Sequence, residues 1–355
     1  MSHHDSIKGR GSAYNPLIRF DRLTREAAMP DWPGDDAEPT AIKTELIWQE
    51  AKSAITRNQS PDIYFSQSIN PYHGCEHGCI YCYARPSHAY WGYSAGLDFE
   101  TRIIARRGLA DRLRHELAKP GYQCEPICIG ANTDCYQPAE RQLGLTRQLL
   151  EVLLTHRHPL VIITKNALVE RDLDVLQALA AQQLVQVYIS ISTLDAETAR
   201  LLEPRASAPH RRLQTVETLS KAGVPVGVLC APIIPALNDH QIEQILPAVA
   251  AAGAVMASYV LLRLPLEINE LFKDWLQRHF PQRAEHVMSL IRQMRGGKEN
   301  NAQFGERMRG TGIFADLIRS RFELACRRHG LGRRHMDLNC GSFCVPGQAK
   351  QLDLF

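Results

Sequence analysis

The densest run of reactive side chains lies between residues 70 and 85, where Cys75, Cys79 and Cys82 stand at a C-x3-C-x2-C spacing in Asn70-Pro-Tyr-His-Gly-Cys-Glu-His-Gly-Cys-Ile-Tyr-Cys-Tyr. Gly74 and Gly78 let the backbone turn tightly enough for three thiolates to converge. A [4Fe–4S] cluster ordinarily takes four thiolates. Three in one loop, with no fourth close by in sequence, leave one iron open to another ligand. Zinc is the competing occupant, with His73 or His77 as its fourth ligand. Zinc sites usually pair one short knuckle with a second, however, and so crowded a loop would strain the tetrahedron.

Such a loop needs a scaffold. From about residue 64 to 262, short β-branched or apolar runs alternate with amphipathic stretches, the pattern of βα units on a parallel sheet. Strands are predicted at 64–69, 126–130, 160–164, 185–192, 226–231 and 255–262, with helices at 141–155, 169–182, 209–222 and 239–252. Six strands with intervening helices predict an α/β fold, a partial (β/α)6 barrel, whose sites gather at the carboxyl ends of the strands. Asn132, Asp134, Lys165, Ser192 and Asn238 all fall at or just after those ends.

The flanks read differently. An N-terminal arm, 1–63, is broken by prolines, with one short helix predicted around 41–54. After the barrel (64–265) comes a mainly helical extension, 266–345, with helices at 266–279, 283–294 and 312–329, then a tail, 346–355. The net charge of +3 names no partner, but 15 Lys and Arg face 10 Asp and Glu from residue 266 onward. That basic balance is compatible with a polyanionic substrate, and equally with a solvated helical face. The first residues lack an apolar core of the secretory type. The greasiest stretches are broken by Pro, Gly and Asn, so no membrane span is expected. A cytoplasmic protein is expected, whose ten cysteines serve as ligands, reactive thiols or core residues.

The cysteine spacing, with Tyr81 just before the last thiol, resembles the radical S-adenosylmethionine (SAM) superfamily. Asn70–Arg85, Thr133-Asp134, Thr164-Lys165, Ser190-Ile191-Ser192, LEPRASAPHRRL (202–213) and KAGVPVGVLCAPIIPALND (221–239) together resemble its spore photoproduct lyase branch. The resemblance implies a [4Fe–4S] cluster on the three cysteines. SAM would chelate its open iron and be cleaved reductively, by an external electron donor, to a 5′-deoxyadenosyl radical. It also implies that Tyr81 flanks the adenine and that Lys165 and Ser190 reach the carboxylate or ribose, with Ser192 beside them. The family's Gly-Gly-Glu run is replaced by Gly130-Ala-Asn-Thr-Asp134, leaving Asn132 or Asp134 to meet the SAM amino group. The branch's hydrogen-donating cysteine corresponds to Ala131. Cys135 is then a candidate donor, or else a thiol packed below the site.

A nucleic-acid substrate, DNA or RNA, follows from the same resemblance. The alternatives are radical chemistry on a protein or small molecule, and a non-catalytic Fe–S or zinc adaptor. Cys326, Cys340 and Cys344 form a possible second metal group, or three core thiols. The last residues, Gln351-Leu352-Asp-Leu354-Phe355, resemble the bacterial sliding-clamp binding motif, an extended peptide ending in two large apolar side chains.

Overall fold

The computed structural model describes residues 6–20, 42–332 and 337–347. Ten strands occur along these residues: β1 (Glu45–Glu50), β2 (Thr56–Arg57), β3 (Gln67–Ile69), β4 (Tyr72–His73), β5 (Arg102–Arg107), β6 (Ile127–Ile129), β7 (Leu160–Thr164), β8 (Val185–Ser190), β9 (Val226–Ile233) and β10 (Met256–Leu261). Six of them, β3-β6-β7-β8-β9-β10, run parallel in one sheet, with β2 antiparallel at its β3 edge. β3 and β10 are not paired, so the barrel is partial, as the βα pattern predicts.

The reason lies in the side-chain alternation. Ile162, Val187, Val228 and Ala257 point to one face and join the main core under the helices. Val161, Tyr188 and Met256 point to the other and form a separate inner cluster with Ile163 and Leu229. Strands covered on both faces are apolar on both, which is why β7 and β8 read as continuous hydrophobic runs. The crossover helices bury the complementary stripe. Leu145–Thr155 buries Leu145, Leu149, Leu150, Val152 and Leu153 against the sheet. Pro209 opens the helix Pro209–Lys221, at the position where its missing N–H costs nothing.

The helix expected around 41–54 is instead strand β1. It pairs in parallel with β5 over six residues, Glu45 opposite Arg102 through Glu50 opposite Arg107. Here partner pairing overrides local propensity. Leu46 packs towards Tyr72, Ile103 and Ala105, while Arg107 lies over the Trp48 ring at 5.0 Å. With β4, these strands make a small second sheet, order β1-β5-β4, of which β4 and β5 lie between β3 and the first crossover helix, Leu109–Leu117, and β1 comes from the arm before β3. Part of the arm is also built into the fold. Arg19 pairs with Glu267 at 2.5 Å, and Leu97 N–H donates to Tyr14 O.

Beyond β10 come helices Ile268–His279, Ala284–Gln293 and Ile313–Arg328. No helix of the described residues is long and apolar enough to cross a membrane. The clamp-like motif at 351–355 lies outside the described residues.

Candidate active site

The cysteine loop leaves β4 and is held by its own backbone. Gly74 and Gly78 adopt positive φ, +80° and +68°, where a side chain would be strained. Cys75 N–H donates to Phe99 O at 2.8 Å, and Cys82 N–H to Cys79 O at 3.2 Å. Arg85 lies fully buried beneath the loop. Its guanidinium donates to the carbonyls of Gly78, Cys79, Ala95 and Gly96 at 2.9–3.1 Å, and pairs with Glu100. The Glu100 carboxylate in turn accepts from Gly11 and Ser12 N–H at 3.0 and 2.9 Å, so the arm closes over the loop. A Cβ at Gly11 would sit 1.9 Å from Gly78 O, so only glycine fits there.

The three thiols lie within reach of one another's charge. Burial pushes Cys75 and Cys79 up; Asp134, with Cys79 and Cys82, pushes Cys75 further, and Glu203, with Cys82, does the same to Cys79. Lys165 and Arg212 act in the opposite direction on Cys79. This donor set fits a cluster that binds through thiolates beside a cation. Zinc with a histidine fits less well. His77 Nδ1 lies 3.3 Å from Asp134 Oδ2 and its Nε2 3.1 Å from Asn166 Nδ2, so both ring nitrogens are engaged. His73 lies against Trp91 with the rings tilted by 35° and their centroids 4.7 Å apart. Among the described residues, no three His, Cys, Asp or Glu are gathered to hold a single metal ion.

The carboxyl ends of β6, β7 and β8 supply the polar neighbours. Asp134 was a candidate for the SAM amino group, but its oxygens are occupied. Oδ1 accepts from Thr164 Oγ1 at 2.7 Å and Tyr136 N–H at 2.9 Å, while Oδ2 accepts from Lys165 N–H at 2.7 Å and faces His77. Burial opposes its charge, but His77, Thr164 and Lys165 outweigh that and hold its carboxyl at about 2. Asp134 therefore clasps the ends of β6 and β7 together. Asn132 is half-buried, its N–H fixed to Asn70 Oδ1 at 3.0 Å.

Lys165 sits over the Tyr81 ring, with its ammonium 5.9 Å from the centroid. Burial opposes its charge, but Cys79, Glu203 and Asp134 hold the ammonium above its ordinary value. Glu203, which carries no motif of its own, is the hub of this side. It accepts from the Tyr81 hydroxyl, from Ser192 Oγ at 3.0 Å and from Arg212. Burial opposes its charge too, and Arg212 and Lys165 hold its carboxyl below the usual range. Arg212 also donates to Ser190 O at 3.0 Å and Ser207 O at 2.6 Å. The only sequence signal for this pair was its place in the stretch 202–213, which carries no metal-ligand or catalytic spacing. Ser190 is buried beside it. Asn238 serves a turn, bonding Ile234 N–H, Ser192 O and Pro232 O.

Cys135 is wholly buried in the main core, its Sγ lying under Gly130, the position of its packed-thiol alternative. Cys326, Cys340 and Cys344 do not converge. Cys326 is buried on the helix Ile313–Arg328 near Cys230, Cys340 lies against Cys124, and Cys344 N–H donates to His156 O.

The radical SAM superfamily model matches residues 69–247, half of the chain. The chain belongs to the radical SAM superfamily. An uncharacterized protein of Mycobacterium tuberculosis (strain ATCC 25618 / H37Rv) is 35% identical over 272 residues, 76% of this chain and 78% of its own length. Another, from Methanocaldococcus jannaschii, is 27% identical over 245 residues, 69% of this chain and 87% of that one. Among solved structures, a spore photoproduct lyase mutant is similar with a TM-score of 0.58 at 14% identity, covering 81% of this chain and 80% of that one. A mutant form with bound AdoMet and dinucleoside spore photoproduct gives 0.55 at 15% identity, with the same coverage. This second likeness is one of fold. Radical SAM enzymes use a [4Fe–4S] cluster and SAM, and those are the cofactors of this chain.

Proposed function

We propose that this radical SAM protein cleaves SAM reductively and directs the resulting radical to a nucleic-acid substrate, in a lyase-like repair reaction. The observation that carries the first half is the arrangement of Lys165, Glu203 and Arg212 around Cys79. Cys75, Cys79 and Cys82 would hold the cluster. When bound, cluster and SAM together supply a hydrogen-abstracting radical on receipt of one electron from a donor.

The chain's own residues then bind and orient. Lys165 offers a cation suited to a carboxylate, and Tyr81 beneath it offers a flat apolar face. Asn132 offers an amide to the amino group. Glu203 fixes Tyr81, Ser192 and Arg212, and Ser190 lines the same side. Arg85 and Glu100 lock the loop that sets the thiol positions. Burial thins the water on this side, so the charges interact more strongly than they would in bulk water.

The nucleic-acid half is supported by the fold likeness to spore photoproduct lyase and by the basic C-terminal third. Cys135 is not needed in this reading, so hydrogen return falls to another group or to SAM itself. The tail motif Gln351, Leu352, Leu354 and Phe355 would tether the enzyme to a sliding clamp, and Leu354→Ala with Phe355→Ala would abolish clamp binding. The deciding experiment is anaerobic reconstitution, then reduction with SAM in the presence of damaged and undamaged DNA and RNA. Formation of 5′-deoxyadenosine that vanishes in a Cys75/Cys79/Cys82→Ala protein and rises with nucleic acid is expected. Equal formation with and without every nucleic acid would refute the substrate class.

A further inference from the structure

The open side of the partial barrel is spanned by two segments that belong to opposite ends of the chain. Gly305 N–H donates to Asp62 Oδ1 at 2.7 Å, Arg307 pairs with Asp62, and Arg307 Nη2 donates to Ser60 Oγ at 2.6 Å. Leu261 N–H donates to Met308 O at 2.9 Å, so the loop is anchored on β10. The residues flanking this seam are rings and guanidinium groups. Tyr64, Tyr83 and Phe304 are 45%, 47% and 55% exposed, unusual for large rings beside a buried site. Arg263 lies over Tyr83 at 5.6 Å, and Arg307 over Phe304 at 4.4 Å. Arg309 lies over Tyr259 at 4.0 Å.

Among these cations Arg263 stands apart. Arg307 has Asp62, and Arg309 reaches Ser258 Oγ at 3.3 Å. Arg263 has only a 3.8 Å contact from Nη1 to Met308 Sδ, and its buried Nε has no acceptor. Among the described residues it makes no ion pair, although Arg307 stands close enough to repel it. The nearest carboxylate, Asp62, attracts Arg263 but is already paired with Arg307, and a half-buried guanidinium with no ion pair of its own is costly, a cost an anionic ligand would lower. Its platform, Tyr83, directly follows the last cluster cysteine and donates its hydroxyl to Ala131 O at the end of β6. The vacant donors of Arg263 are thus fixed beside the reacting centre.

We propose that Arg263, seated on Tyr83, binds a backbone phosphodiester of the substrate strand, with Tyr64, Tyr83 and Phe304 offering faces to unstacked bases. This rests on the nucleic-acid reading above and deepens it by naming the seat and a single-stranded or locally opened substrate. Guanidinium forks match phosphate oxygens, and exposed rings accept any base by stacking. The same chemistry would also hold the carboxylate of SAM, and the test separates the two sources.

The experiment is fluorescence anisotropy of the reconstituted, full-length protein with a labelled single-stranded thymidine oligonucleotide across a salt series, with SAM binding measured in parallel. Arg263→Gln is expected to weaken oligonucleotide binding roughly tenfold and to lower the salt slope by about one. Arg263→Lys should keep the slope. Tyr83→Leu should weaken binding several-fold, and it serves if Arg263→Gln fails to hold iron as the parent does. Arg114→Gln, exposed on the helix Leu109–Leu117, should change nothing. Unchanged affinity and slope in Arg263→Gln and Tyr83→Leu, with the parent binding, would overturn the seat and leave the nucleic-acid reading standing. Weaker SAM binding with oligonucleotide binding intact would also overturn it, assigning Arg263 to the cofactor. No binding by the parent at any salt would overturn both.

Discussion

The two ends of the parallel sheet are built from opposite materials. At the carboxyl ends of the strands sit Asp134 and Lys165, half-buried, and Glu203 and Arg212, buried, all charged. At the amino ends, Tyr122, His158 and Phe343 form an aromatic cluster with centroids 5.4–5.8 Å apart. The segment 337–347 closes this end, with Asn339 N–H donating to Gln183 O and Cys344 N–H to His156 O. Charges are tolerated in the first place only because each has a partner, and truncating one leaves the others exposed to the full cost of burial. The second place uses neutral packing, whose loss is bounded by the area involved. One end is organised for chemistry and the other for holding the sheet together.

The sharpest way to break that contrast is Arg85→Ala. It removes the guanidinium donors to the four carbonyls beneath the cysteine loop and leaves the buried Glu100 without its counter-charge. A loss of about 3–5 kcal/mol in unfolding free energy is expected, together with poor iron incorporation. Denaturant unfolding and iron analysis would check both, and a variant that loads iron normally would disprove the role given to Arg85. Next in size is Glu203→Gln, which leaves Arg212 and Lys165 without their carboxylate. Roughly 3 kcal/mol should be lost, and SAM should bind more weakly as Tyr81 and Lys165 shift. Calorimetry and SAM titration measure the two separately, and a stability loss without weaker SAM binding would make Glu203 purely structural. At the opposite end, Phe343→Ala should cost only about 1–2 kcal/mol, since the ring is half-buried, and should leave SAM affinity unchanged. An equal effect on SAM binding would erase the distinction between the ends.

The same contrast explains what could be read from the sequence. The six parallel strands were legible because both their faces are apolar, and the cysteine loop because three thiols at fixed spacing have few other uses. β1 was not, since Glu45–Glu50 becomes a strand only by pairing with β5, more than fifty residues away. Nor were Arg85, Glu203 and Arg212, whose importance lies in being buried together. Asp134 was correctly seen at a strand end but is saturated by neighbours from β7 and the loop. A strand-end position shows where a group lies. It does not show whether its acceptors are already taken. Arg263 is the converse, a residue with no motif, distinguished only by the partner it lacks.

The smallest effect is a slope, invisible at neutral pH. Burial, aided by His156, outweighs the Pro159 carbonyl and holds the His158 imidazole down at about 4, with its ring nitrogens 2.8 Å from the Tyr122 hydroxyl and 2.9 Å from Pro159 O. In the unfolded chain the same group titrates near 6.5. Between about pH 6.5 and 4 the unfolded state therefore binds a proton that the folded state refuses, so stability falls as pH drops through that window. His73 and His88 are held at about 4 by burial as well and act with the same sign. His158→Gln should accordingly remove its share of the histidine contribution to the acid slope while leaving the pH 7 stability nearly level, apart from lost packing. Unfolding free energies at half-unit steps between pH 7 and 4 would show it. A slope unchanged by His158→Gln would mean that the aromatic end already admits water and charge, and that the two ends of the sheet differ less than their packing indicates.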